Sequence, residues 1–351
     1  MKKMIALLLS LTLTAGLLAG CAPTQVHVCP SEEAAAPSET AAAPAEGAVR
    51  TGLAVMAKVE DSVSAAGEEA GAAKYDVTLT AVTVDDNGVI VSCVIDSVKS
   101  EIAFGADGVI TTDLTAKPAT KNELGEDYGM KAIANSKYEW NEQAQALADY
   151  AVGKTVEELK NGAIKEDGKA KDADLAAVAT IYLGGYVSAI EKAVANAQHL
   201  GAQAGDKLVL TTINSLGSSA NAEAEKAGNA QLDVNIAVVT MNGDVITSTI
   251  LDALQAKVAF DAAGQLTSDV TVKPQTKNEL GEKYGMKAIA NSKYEWYEQA
   301  AAFAKYVTGK TAADVAGIAI TEDKKVTDVD LASTVTISVG GFLGLIAKAA
   351  K

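Results

Sequence analysis

The side chains that carry most enzyme chemistry are scarce in this 351-residue chain. Its only histidines are His27 and His199. Both lie outside the part of the sequence that occurs twice. A histidine-based nucleophilic triad and histidine-ligated zinc are therefore excluded from the repeated unit. No cysteine pair, phosphate-cradling loop or dinucleotide-binding glycine pattern occurs, and no metal site or catalytic set is expected. What does occur twice is a set of carboxylates, among them Asp96/Asp252, Glu123/Glu279, Glu139/Glu295, Glu142/Glu298 and Asp174/Asp330. Paired carboxylates are what acid–base glycoside cleavage uses, and they are equally what a solvated acidic face or a helix cap uses. Trp140 and Trp296 offer rings to a planar ligand or to a core. Lys117, Lys121, Lys131 and their counterparts offer point charges.

These groups sit in two stretches offset by 156 positions. "TKNELGEDYGMKAIANSKYEW" (120–140) returns as "TKNELGEKYGMKAIANSKYEW" (276–296), with only Asp127 and Lys283 different. The match extends from Asp96/Asp252 to Gly184-Gly185/Gly340-Gly341. A period this long is a tandem domain pair rather than a solenoid. Repeat domain 1 is read over 50–198 and repeat domain 2 over 205–351.

Within each stretch, strands precede helices. "YDVTLTAVTV" and "VIVSCVIDSV" alternate in polarity around Asp-Asp-Asn-Gly, a hairpin signal, and "LDVNIAVVTM" and "DVITSTIL" do so around Asn242-Gly243. Earlier strands are expected at "TGLAVMAKV" and "DKLVLTTIN". Ser136…Glu139 and Ser292…Glu295 read as capping boxes that start the tryptophan helices, and Thr155…Glu158 and Thr311…Asp314 as the starts of a second helix. The class is α+β: two tandem copies of an antiparallel sheet covered on one face by helices.

The N-terminus points outside the cytoplasm. Lys2 and Lys3 precede an apolar run too short to span a bilayer, ending in Leu18-Ala19-Gly20-Cys21. This resembles the lipobox of bacterial lipoproteins. The resemblance implies a signal peptide over 1–20, lipidation at Cys21, and a mature chain anchored by lipid to the outer face of the cell membrane. Residues 21–49, rich in Ala, Pro and Glu, read as a disordered tether. Net charge is −15 and Arg50 is the only arginine, which argues against nucleic-acid partners. Cys29 in the tether either pairs with Cys93 or stays apart, and Thr249 stands where Cys93 would repeat.

The last segment of each copy carries the remaining signal. "DLASTVTIS" from Asp330 resembles the flavinylation signature of bacterial FMN-binding domains, Asp-x-x-(Ser/Thr)-Gly-Ala-(Thr/Ser). Asp330, Ser333 and Thr336 fall in register, with Thr334-Val335 in place of Gly-Ala. The first copy keeps Asp174, Ala179 and Thr180. Together with the lipobox and the tandem copies, this resembles the flavin-carrying lipoproteins of Gram-positive envelopes. That resemblance implies FMN as cofactor, Thr180 and Thr336 as attachment points, Asp174, Asp330 and Ser333 beside them, Trp140 and Trp296 as stacking partners, and a part in extracellular electron transfer. Read by its own periodicity, Leu331–Val339 alternates as a strand ending at Gly340-Gly341. Two functions stay open: a surface lipoprotein that binds a flavin or similar small planar ligand, and a non-catalytic interaction or structural module of the envelope without a bound cofactor, with an envelope protein as its partner where it has one.

Overall fold

The computed structural model describes residues 47–134, 136–290 and 292–351. Cys21, Cys29 and the expected signal peptide fall outside this range. The architecture is mixed α+β, built from two three-stranded antiparallel sheets and twelve helices among the described residues.

Strands β1 (Arg50–Lys58), β2 (Gly71–Val84) and β3 (Ile90–Phe104) form the first sheet in that order. Its β2–β3 turn closes through Asp85, whose carboxylate accepts from the amides of Asn87 (2.9 Å) and Val89 (2.8 Å). Gly88 adopts the left-handed φ of +81° that this turn requires. Short helices α1 (Lys121–Leu124) and α2 (Met130–Ile133) follow. After them come α3 (Trp140–Ala151), α4 (Val156–Ala163), α5 (Ala173–Val178) and α6 (Gly184–Ala195). The second sheet then repeats the order with β4 (Lys207–Ser215), β5 (Gly228–Asn242) and β6 (Val245–Phe260). Its helices are α7 (Lys277–Leu280), α8 (Met286–Ile289), α9 (Trp296–Val307), α10 (Ala312–Ala316), α11 (Val329–Ala332) and α12 (Gly340–Ala349).

Both faces of each sheet are buried. Alternate residues of the first sheet, including Val82 and Ile95, meet Trp140, Leu147 and Ile190 from the helices. In the second sheet Val239 and Leu251 meet Trp296, Phe303 and Leu345. The opposite faces meet each other: Leu53, Val77, Leu79 and Phe104 share one apolar core with Leu232, Ile236, Leu254 and Phe260. The layers therefore run helix, sheet, sheet, helix, and the described residues belong to one compact unit. The helical cover on one face agrees with the sequence reading. The second sheet on the other face was invisible to it, because alternation marks a buried face without saying what buries it.

Contacts between the halves come in matched pairs. The amide of Ala65 donates to the carbonyl of Gly264 and that of Ala222 to Gly108, each at 2.9 Å. Lys192 reaches the carbonyl of Val55 (2.8 Å) and pairs with Glu279, while Lys348 reaches Thr212 (2.8 Å) and pairs with Glu123. Each contact thus recurs at a position about 156 residues further along the chain. At Gly52 a Cβ would lie 2.0 Å from the carbonyl oxygen of Ala193, so the close approach of α6 to β1 requires glycine there.

Two local expectations need correction. The cap of α3 is Glu139, not Ser136: Glu139 and Glu142 form the reciprocal box, and the Ser136 hydroxyl donates to the Tyr138 carbonyl (2.8 Å). Glu295 and Glu298 do the same for α9. Nor is Leu331–Val339 a strand. The Asp328 carboxylate accepts from the Leu331 amide (2.8 Å) and starts α11 there, and the chain then turns irregularly to α12. The helices at Thr155 and Thr311 start as expected, each with its capping box.

Candidate functional site

The repeated phrase builds a junction between the tryptophan helix and the threonine segment. Thr120 and Glu123 cap α1 reciprocally. The buried carboxylate of Glu139 accepts from the amides of Met130 (2.7 Å) and Lys131 (3.2 Å), anchoring α2 to the start of α3. One turn on, Gln143 is fully buried. Its amide nitrogen donates to Ser136 Oγ (3.1 Å) and the Tyr138 carbonyl (3.0 Å). Its Oε1 accepts from the Thr180 amide (2.8 Å), the Thr180 hydroxyl (3.2 Å) and the Ile181 amide (3.1 Å). Gln299 repeats this with Thr336 (2.8 and 3.1 Å) and Ile337 (3.2 Å). A side-chain amide used on both ends leaves no buried polar group unsatisfied and fixes the threonine segment against the helix.

The sequence-chosen site residues divide between surface and core. Thr180 and Thr336 are exposed on the outer side of this staple, as are Asp174, Asp330 and Ser333. The Ser333 hydroxyl donates to the Asp330 carbonyl (2.6 Å), and Asp174 lies in the first turn of α5. Trp140 and Trp296, in contrast, are 1% and 5% exposed. The indole of Trp140 donates to the Tyr186 hydroxyl (3.0 Å), and Trp296 meets Phe342 edge-on with centroids 5.8 Å apart. The Lys121 ammonium lies 4.8 Å from the Trp140 ring and 5.0 Å from the Tyr128 ring, and burial holds its pKa below the usual lysine range. The tryptophans are thus taken up in packing, while the exposed threonines bond to Gln143 and Gln299 one turn along the same helices.

A cleft of ≈ 1070 Å³ opens between the halves, walled by β1, the segment after α6, β6 and α9. On α9 its wall is Tyr297, Ala301, Ala304 and Lys305, one helical face continued by the C-cap residue Thr308. On β6 it is Thr249 to Asp252, and across from them stand Leu53 and Val55. Asp252 is 5% exposed, and burial pushes its carboxyl up from 3.8 to about 6. Amides of Ala253 (2.7 Å) and Asn278 (3.1 Å) counter part of that shift. The Thr249 hydroxyl is buried in the cleft wall without a hydrogen-bond partner among the described residues. A second hollow of ≈ 430 Å³ lies beside Gly243 and Thr311. Neither is lined by Thr180, Thr336, Asp174, Asp330, Ser333 or either tryptophan.

Sequence reasoning noted Asp252 and Glu279 as shared acids but had no means of finding the cleft. Its walls come from residues 53 to 308, and no local pattern links them. Among the described residues no group of three or more His, Cys, Asp or Glu could hold a metal ion. No described helix is long and apolar enough to cross a membrane. The chain matches no family model, no curated protein and no solved structure.

Proposed function

We propose that this chain is a lipid-anchored ligand-binding protein of the cell envelope, composed of two copies of one α+β domain that jointly hold a small ligand. The observation that carries this reading is the cleft between the halves. Its ≈ 1070 Å³, with apolar side chains such as Leu53, Val55 and Ile250 set among polar ones such as Asp252, Asn278 and Lys305, is space that suits a small ligand. The matched contacts across the sheets support reading the halves as duplicated copies. A thermal-shift panel of FMN, riboflavin, short peptides and sugars tests the proposal, using the intact mature chain and Ala301→Trp. Ala301 is exposed on the α9 wall, so an indole there fills the cleft without entering the core. A compound that raises Tm for the native chain and not for the variant supports the reading. If none does, the cofactor-free envelope module becomes the better account.

One observation favours a second reading, covalent flavin. Thr180 and Thr336 hold their hydroxyls at the surface in identical geometry, each just before a helix that opens on a glycine pair. Absorbance near 450 nm after expression with a flavin transferase, with a matching mass gain on a Thr180 or Thr336 peptide, would support it. A colourless protein of unchanged mass would remove it, and with it the electron-transfer role.

A further inference from the structure

Resting on the cleft as the ligand site, we propose that it takes a short extended peptide of about five residues. The free amino terminus would lie at the Asp252 end and the carboxylate at the Lys305 end. Three observations converge on this ligand.

The first is shape. The α9 wall from Tyr297 to Thr308 is about 16 Å long at the helical rise of roughly 1.5 Å per residue. An extended chain covers that length in about five residues at roughly 3.3 Å each. The walls are Ala301, Ala304, Leu53 and Ile250, which leave room for small apolar side chains.

The second is the backbone beside it. β6 is the edge strand of its sheet. The Leu251 carbonyl accepts from the Asn278 side chain (2.9 Å) and the Ala253 amide donates to Asp252 (2.7 Å), so both residues turn their backbone groups away from β5. The two-residue period of an antiparallel pair gives Thr249 the same orientation, because it pairs in register opposite Val239. Asn278 and Asp252 already occupy the Leu251 carbonyl and the Ala253 amide, so the outward amide and carbonyl of Thr249 are the pair an added peptide strand would meet.

The third is charge. Glu279 in the wall is already paired with Lys192, and His199 with Asp86 (2.9 Å). Within the cleft wall, the charges without an ion pair among the described residues are Asp252, whose carboxylate the Asn278 amide of α7 meets, and Lys305, toward the C-terminal end of α9. A zwitterionic chain lying along the groove matches that polarity. A dianionic phosphate ligand does not, having one exposed lysine to meet it and carboxylates at the far end.

The test is calorimetric titration of the full mature chain with pentaalanine. One site per chain is expected. N-acetylated pentaalanine should bind at least tenfold more weakly, and dialanine likewise. Lys305→Glu should weaken pentaalanine at least tenfold while leaving the C-terminally amidated peptide within threefold of its native affinity. Ala301→Trp, shown folded by an unchanged Tm, should abolish binding. Absence of pentaalanine binding, equal binding of the acetylated peptide, or binding that survives Ala301→Trp overturns the proposal. A panel compound of another class that binds only when the cleft is open would overturn the peptide assignment and leave the cleft as the ligand site.

Discussion

Phe104 and Phe260 stack face to face at the centre of the molecule, with ring centroids 4.1 Å apart and planes within 4°. They occupy positions 156 apart at the ends of β3 and β6, so the pair joins the two sheets at equivalent points. The inter-sheet core that surrounds them makes the halves one body, and it brings β1 opposite β6 to form the cleft.

Phe104→Ala should destabilise the body by about 3–5 kcal/mol, the usual cost of emptying a phenylalanine site in a core. Phe260→Ala should cost a similar amount. Because the rings touch, the double variant should fall short of the sum. Urea unfolding followed by tryptophan fluorescence checks this. Trp140 and Trp296 lie in different halves, yet a single transition is expected.

Gln143→Leu should release the threonine segment without emptying the core. It leaves the amides of Thr180 and Ile181 without their partner, at a cost on the order of 3 kcal/mol. Hydrogen exchange should quicken at Thr180 and Ile181 and stay unchanged at Thr336 and Ile337, which depend on Gln299.

Asp252 should make stability fall as pH rises. Its folded pKa, about 6, lies above the ordinary 3.8. Between those values the native state binds more protons than the unfolded one, so the contribution is present in acid and is lost through this window. Relative to Asp252→Asn, the native chain should lose roughly 3 kcal/mol between pH 3 and pH 7. Denaturation of both proteins across that range measures the difference, and a flat difference would show that the carboxyl titrates normally.

Cys93 should be inert in the native state. It is buried under α3, and burial pushes its thiol up to about 12, so almost no thiolate forms at neutral pH. Mass mapping after brief exposure to a thiol reagent should find the Cys93 peptide unlabelled in buffer and fully labelled in denaturant.

Much of this was legible in the residues. Asn242-Gly243, the Asp85 turn and the alternating runs mark both hairpins. The stripe Trp140, Ala144, Leu147, Ala148 and Ala151 marks a buried helix face, and each of its members is buried. What could not be read came from long-range partners. Gln143 looks like any helix glutamine, and its role depends on meeting a segment 37 residues away. Leu331–Val339 alternates like a strand, but Gln299 takes the amides of Thr336 and Ile337 that a strand neighbour would need. The cleft required knowing that β1 and β6 lie at the same side of the stacked sheets, a fact of tertiary arrangement with no trace in periodicity.

The most direct test of a ligand site shared by both halves is amide hydrogen exchange across the mature chain, with and without saturating pentaalanine and, separately, FMN. Slowed exchange at Leu53–Val55 together with Thr249–Asp252 is the predicted footprint. Protection confined to 172–184 and 328–340, around Thr180 and Thr336, would contradict it.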